Sequence, residues 1–243
     1  MSRKLRQFVR PSSRVYFAGD PHGQFQQIEA VARRDAGALF VLLGDHDLSV
    51  PLEQAIPSAA ASTWWIHGNH DADRVAYHDR LFRSALADRC LHGRVIEIGG
   101  YRITGLGGVF RERIWHPDTG VRFASPPEYL RAIPPRDHWR GGLPVRHRAS
   151  IWWSDYEALW GRPADILVTH EAPSCHRHGF TVLDDLAESM GVSLIVHGHH
   201  HETYRAELVS GITVQGVGLA EVVTLDGEVV ARPHRQSAGA KSK

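Results

Sequence analysis

Five short segments of this chain end in residues that bind metals or move protons. They are Asp20 and His22 in GDPHG, Asp45 in LLGDHD, Asn69 and His70 in HGNHD, His170 in VTHEAP, and His199 and His201 in HGHHH. A carboxylate and an imidazole two residues apart, as in Asp20 and His22, reach one cation across a tight turn, and Gly23 beside them allows close backbone approach. Asp45 offers a second carboxylate that could bridge two cations. With Asn69, His170, His199 and His201 the donors suffice for two borderline metals such as Mn, Fe or Zn, with positions left over for water and substrate oxygens. The mixture of nitrogen and oxygen donors argues against a structural zinc finger. The chain also carries 17 histidines against two methionines and two cysteines, an excess that invites metal or acid–base chemistry.

Any one of these motifs is weak evidence; their joint occurrence, in order, at the ends of apolar runs is what counts. RVYFAGD, ALFVLLGD and STWWIHGN each end in Gly, Asp, Asn or His and lead into an amphipathic stretch, which reads as strand, loop, helix. That alternation predicts an α/β sheet with helices on its faces, and in such sheets the loops beyond the carboxyl ends of the strands converge on one edge. RVIEIGGYRITGLGGVF reads as a hairpin around a Gly-Gly turn. Residues 111–149, with eight Arg against four acidic residues and many Trp, Pro and Gly, read as a long insertion or lid. IWWSDYEALW and FTVLDDLAESM read as helices, DILVTH and SLIVHGHH as buried strands. TYRAELVSGITVQGVGLAEVVTLDGEVV reads as a β meander, followed by a polar tail from about residue 233.

With 243 residues, no internal repeat and no dividing linker, the whole chain, 1–243, is expected to be one domain. A net charge of +1 announces neither a nucleic-acid nor a membrane partner. Cys90 and Cys175 lie far apart outside any CxxC spacing, the basic N-terminus is followed by no long apolar stretch, and no run is long enough to span a bilayer. A cytoplasmic protein is expected.

The series GDPHG, GDHD, GNHD, THEAP, GHHH resembles the calcineurin-like metallophosphoesterase superfamily, whose pattern runs D-x-H, G-D, G-N-H-[DE], H, G-H-x-H. The resemblance implies a four-layer αββα sandwich with mixed sheets. It implies that Asp20, His22 and His201 bind one metal, that Asn69, His170 and His199 bind the other, and that Asp45 bridges. It departs from the phosphoprotein phosphatase branch, since Leu48 stands where a second Asp is usual and His46 and Asp47 precede it. YRITGLGGVF and RHRASIWWSDYEAL are similar to a region of RNA lariat debranching enzymes, which cleave a phosphodiester.

The chemistry implied is hydrolysis of a phosphate ester, foremost a phosphodiester in a nucleotide or nucleic acid, by water activated between two cations about 3.5 to 4 Å apart. His70 is placed to protonate the leaving oxygen, with Asp71 either orienting its ring or capping a helix. Arg111, Arg113, Arg146 and Arg148 are candidates for a substrate-facing rim, and Trp115, Trp139, Trp152 and Trp153 for base stacking. His200 is expected to point away, exposed. A phosphomonoesterase or protein phosphatase-like activity is the alternative. A catalytically silent scaffold is the alternative of another class, against which stands the presence of all seven ligand positions and His70.

Overall fold

The computed structural model describes residues 14–233, so the polar tail lies outside the described residues. The strands are β1 (Arg14–Ala18), β2 (Ala38–Leu42), β3 (Thr63–Trp65), β4 (Val95–Ile98), β5 (Tyr101–Leu106), β6 (Trp115–His116), β7 (Gly120–Val121), β8 (Ile166–Thr169), β9 (Leu194–His197), β10 (Tyr204–Glu207), β11 (Thr213–Gly216), β12 (Val222–Thr224) and β13 (Val229–Ala231). The helices are α1 (Gln26–Arg34), α2 (Leu52–Ala55), α3 (Val75–Phe82), α4 (Pro126–Ala132), α5 (Trp153–Leu159) and α6 (Thr181–Met190).

One sheet is ordered β13-β12-β1-β2-β3, parallel from β1 to β3 with β12 and β13 antiparallel at its side. The other is ordered β10-β11-β9-β8-β5-β4, parallel from β11 to β5 with an antiparallel strand at each edge. Successive side chains on a strand face opposite sides, and that decides the layers. Val15, Phe17 and Val41 from the first sheet meet Ile103, Ile166, Val168 and Val196 from the second in a core between them. The alternate residues Tyr16, Phe40 and Leu42 face outward onto Ile28 and Val31 of α1 and Leu81 of α3. Leu167 and Ile195 do the same against Leu159 of α5 and Leu183 and Leu186 of α6. Helices therefore cover the outer faces of two stacked mixed sheets, which is the αββα sandwich expected.

Between β4 and β5, Gly99 and Gly100 have φ of 59° and 82°, the pair of positive values a two-residue hairpin turn needs and only glycine adopts cheaply. The expected C-terminal meander is corrected. β10 and β11 belong to the second sheet, but the chain crosses after Gly216 and β12 and β13 complete the first. β11 lies parallel beside β9, and β12 has an open edge of β1 to pair with.

Residues 111–149 hold the β6–β7 ribbon, α4 and two 3-10 turns, Pro135–Asp137 and Val145–Ala149. Base stacking by the four tryptophans is not what the fold uses them for. Trp115 and Trp152 are buried with Phe110, Tyr129 and Tyr156 over the second sheet, and Trp153 packs on Trp115 and Tyr156. The ring of Trp139 carries the guanidinia of Arg140 and Arg148, 4.3 and 5.0 Å from its centroid. Among the described residues, no helix is long and apolar enough to cross a membrane.

Candidate metal centre

The expected ligands all lie in loops leaving the carboxyl ends of β1, β2, β3, β8 and β9. Backbone hydrogen bonds tie these loops together: the His22 amide donates to the Asp45 carbonyl (3.0 Å), the Gly23 amide to that of His46 (2.9 Å) and the Ala220 amide to that of Asp20 (3.2 Å). Among the described residues eight non-glycine residues have positive φ, and six of them are Asp20, His22, Asp45, Asp47, His199 and His201. Such backbone costs on the order of 1 to 3 kcal/mol each and persists where the surroundings hold it, typically at functional sites. Space matters too. A Cβ on Gly68 would lie 2.2 Å from Asp45 Oδ1 and 2.5 Å from His170 Cε1, so the HGNHD loop needs glycine to approach the site.

The donors form two groups that share one oxygen. His22 Nε2 lies 3.2 Å from His201 Nε2 and 3.9 Å from Asp45 Oδ2, and His201 Nε2 lies 3.9 Å from Asp20 Oδ2. On the other side, His170 Nε2 lies 3.3 Å from the same Asp45 Oδ2 and 3.1 Å from Asn69 Oδ1. Asp45, His170 and His199 also bring one donor atom each within 4.8 Å of one another. These spacings suit two adjacent cations with Asp45 between them.

Electrostatics give an independent test of fit. Both carboxylate oxygens of Asp20 are buried and lack a side-chain hydrogen-bond partner among the described residues; burial outweighs the charge of His170 and pushes its carboxyl up to about 7. His170 must carry a proton on Nδ1, which donates to the Leu43 carbonyl (2.8 Å), so its Nε2 faces the Asn69 and Asp45 oxygens. Two acceptors facing a bare nitrogen require either a second proton or a cation. Burial opposes the proton, but Asp45 outweighs it and raises His170 to about 10; the same pairing overcomes burial to hold Asp45 well below the usual carboxylate range. Burial and the His170 charge push His199 down to about 4, leaving a neutral imidazole, the form that ligates. Orphaned carboxylate oxygens and lone pairs aimed at one another are what a cation site presents, and the residues fit the group.

The calcineurin-like phosphoesterase family model matches residues 13–203, which includes every one of these loops. The chain belongs to this family.

A Haemophilus influenzae (strain Rd) protein of uncharacterised function is 42% identical over 215 residues, covering 88% of this chain and 94% of its own. Two solved structures share the fold at 14% identity. Protein TT1561 of Thermus thermophilus matches with a TM-score of 0.53 over 90% of this chain and 97% of its own. The phosphopantetheinyl hydrolase of Mycobacterium tuberculosis matches with a TM-score of 0.51 over 87% and 92%. Membership of the calcineurin-like phosphoesterase family makes the chain a metal-dependent phosphoric ester hydrolase.

In this phosphoesterase the groups behind the expected ligands are partly those anticipated and partly not. Asp47 accepts from His22 Nδ1 (2.8 Å), which turns His22 Nε2 toward the site. His70 is half-exposed, its ring 5.4 Å from that of His22. Its orienting carboxylate is Asp73, which accepts from His70 Nδ1 at 2.6 Å, and not Asp71. Asp71 is fully buried and neither orients His70 nor caps a helix; it accepts from the amides of Gly68 (2.8 Å), Asp45 (3.1 Å) and His46 (2.9 Å) and from His46 Nδ1 (3.0 Å), clamping the β2 and β3 loops together. Asp73 was not singled out by the sequence; it meets His70 as an i, i+3 neighbour because the tight turn over His70–Ala72 brings those positions together. Replacing Asp71 with Asn would turn an amide N–H toward these donors. The variant is expected to lose on the order of 3 kcal/mol of stability, a fall of roughly 10 °C in Tm by calorimetry; an unchanged Tm would contradict the clamp.

His200 is likewise corrected. It is half-buried, with its ring stacked on His176 at 3.9 Å and its Nε2 shielded. Glu171, beside His170, was not singled out by the sequence. Its buried carboxyl accepts from the Phe110 amide (3.1 Å), reaches within 3.8 Å of His199 Nε2, and is pushed up to about 7 by burial. Arg113 and Arg146 are exposed and Arg111 half-buried beside the site, whereas Arg148 is spent on Trp139.

Proposed function

We propose that this protein hydrolyses a phosphodiester, in a nucleotide or nucleic acid, at two divalent cations of the Mn, Fe or Zn type. The observation that carries the reading is Asp45 Oδ2 lying in both donor groups, 3.9 Å from His22 Nε2 and 3.3 Å from His170 Nε2. Asp20, His22 and His201 would hold one cation and Asn69, His170 and His199 the other. When bound, the cations supply a lowered pKa for water and positive charge for the phosphoryl oxygens.

The protein's own residues do the rest. Leu43 and Asp47, by accepting from His170 and His22, keep the lone pairs of both rings turned inward. Asp73 holds His70 Nδ1, so the remaining ring nitrogen is the one free to face substrate and to give a proton to the departing oxygen. The diester preference rests on the local similarity of YRITGLGGVF to debranching enzymes and on the arginines beside the site. A cytoplasmic location fits two free thiols, Cys90 and Cys175.

The test is turnover of a chromogenic phosphodiester and the matching monoester by metal-stripped protein resupplied with Mn. Metal-dependent hydrolysis favouring the diester is expected. Faster monoester hydrolysis would make it a phosphomonoesterase.

A further inference from the structure

His197 ends β9 and belongs to neither donor group. It is buried, and its ring is held at both nitrogens. Nδ1 lies 2.9 Å from the Gly198 carbonyl, which can only accept, so Nδ1 carries the proton. Nε2 is then an acceptor, and the Tyr204 hydroxyl donates to it at 2.7 Å.

Tyr204 reaches His197 across an intervening strand. On β10 it stands opposite Gly216 of β11, and Gly216 stands opposite His197 of β9. A Cβ on Gly216 would lie 2.6 Å from Tyr204 Cδ1, so the aromatic ring crosses the bare backbone of the middle strand, where only glycine leaves it room. Three strands are thus tied together at the edge from which the HGHHH loop departs.

The Gly198 carbonyl that His197 fixes has a second partner. It accepts the His200 amide at 2.9 Å, and His199 between them has a φ of 70°. A hydrogen bond closed over two residues around a positive φ is the pattern of the γ-turn that proteins rarely use, because it is strained. The residue at its apex is His199. The turn is also confined from the other side, since a Cβ on Gly198 would lie 2.7 Å from Asp20 Oδ1. Strained backbone persists only where its surroundings hold it. His22 and His170 have acceptors on their own rings, Asp47 and the Leu43 carbonyl; at His199 the carbonyl before it is held instead.

We propose that Tyr204 is a positioning residue for the metal centre: across Gly216 and through His197 it fixes the Gly198 carbonyl, and so clamps the strained turn that presents His199 to its cation. This rests on the reading of His199 as a ligand of one of two cations, and one arm of the test is independent of that reading.

In the first arm, full-length metal-stripped protein is dialysed against rising Mn and the bound ions are counted. Two binding steps are expected in the wild type. In Tyr204→Phe one step should weaken about tenfold or more, the size of effect carried by groups that orient ligating histidines, while the other step holds. Excess Mn should then restore hydrolysis in the variant. Cys175→Ala, which removes only a sulfur contact to the Tyr204 oxygen at 3.8 Å, should leave both steps unchanged. The second arm needs no metal. In the stripped protein, hydrogen exchange at the His200 amide, followed by NMR, should speed about tenfold or more in Tyr204→Phe, with the amides of β1 and β2 unaffected. Both binding steps unchanged in Tyr204→Phe, or both weakened alike with faster exchange throughout the two sheets, would overturn the role. If the wild type binds fewer than two ions but Tyr204→Phe still frees the His200 amide, the clamp on the turn stands and the two-cation reading falls.

Discussion

Asp45→Asn is expected to lower kcat/KM for any phosphate ester by about a thousandfold or more and to reduce the number of cations bound per chain. Asp45 Oδ2 lies within reach of both donor groups, and an amide would replace its charge with a dipole where the two proposed cations would be held together. The carboxylate has one further partner, the His70 amide, which its Oδ1 accepts at 2.8 Å, and its contact with His170 is a buried pair. An Asn Oδ1 still accepts the amide, so the HGNHD loop should stay in place. The metal-free variant should therefore fold, and its circular dichroism should match that of the wild type. Without the Asp45 charge, the largest of the influences that raise His170 is gone, and with Asp20 left to oppose it burial should shift that ring toward the neutral form. A variant that keeps both cations and turns over within about tenfold of wild type would show that Asp45 does not bridge.

His70→Ala should separate substrates by leaving group. General acid catalysis is worth about 10² to 10⁴-fold, and it is needed when an alkoxide departs, not when a nitrophenolate does. The ring is half-exposed, beside His22, with Nδ1 committed to Asp73. The variant is expected to lose about a hundredfold or more on an alkyl or nucleoside diester and about tenfold or less on a nitrophenyl diester. Asp73→Asn should follow the same pattern more weakly, since it acts only by holding the ring. Equal losses on both leaving groups would assign His70 to positioning.

The four αββα layers were expected only from the family resemblance that the five motifs carry; the strand pattern by itself pointed to an α/β sheet with helices on its faces, since β1, β2, β8 and β9 are apolar on both faces. The convergence of the ligands was legible for the same reason: GDPHG, GDHD, GNHD, THEAP and GHHH each follow such a run. What could not be read was which neighbour each polar side chain meets. Asp71 and Asp73 are two residues apart, and their roles separate only because the turn over His70–Ala72 buries one and exposes the other. Trp115 looked available because its segment lacks periodicity, yet its burial depends on Trp153 and Tyr156 of α5, distant in sequence. His200 was expected to face solvent by alternation, but positive φ at His199 and His201 breaks the alternation and turns its ring onto His176. The crossing of the last strands between sheets depends on open strand edges that no local pattern reveals.

The central claim is that the seven donors hold two cations. It is tested most directly by counting cations bound to purified, metal-stripped protein after equilibrium dialysis against Mn, with diester hydrolysis measured on the same samples. Two ions per chain, with activity rising as the second site fills, is the predicted result. One ion or none at saturating Mn, or hydrolysis that persists in the stripped protein, would contradict it.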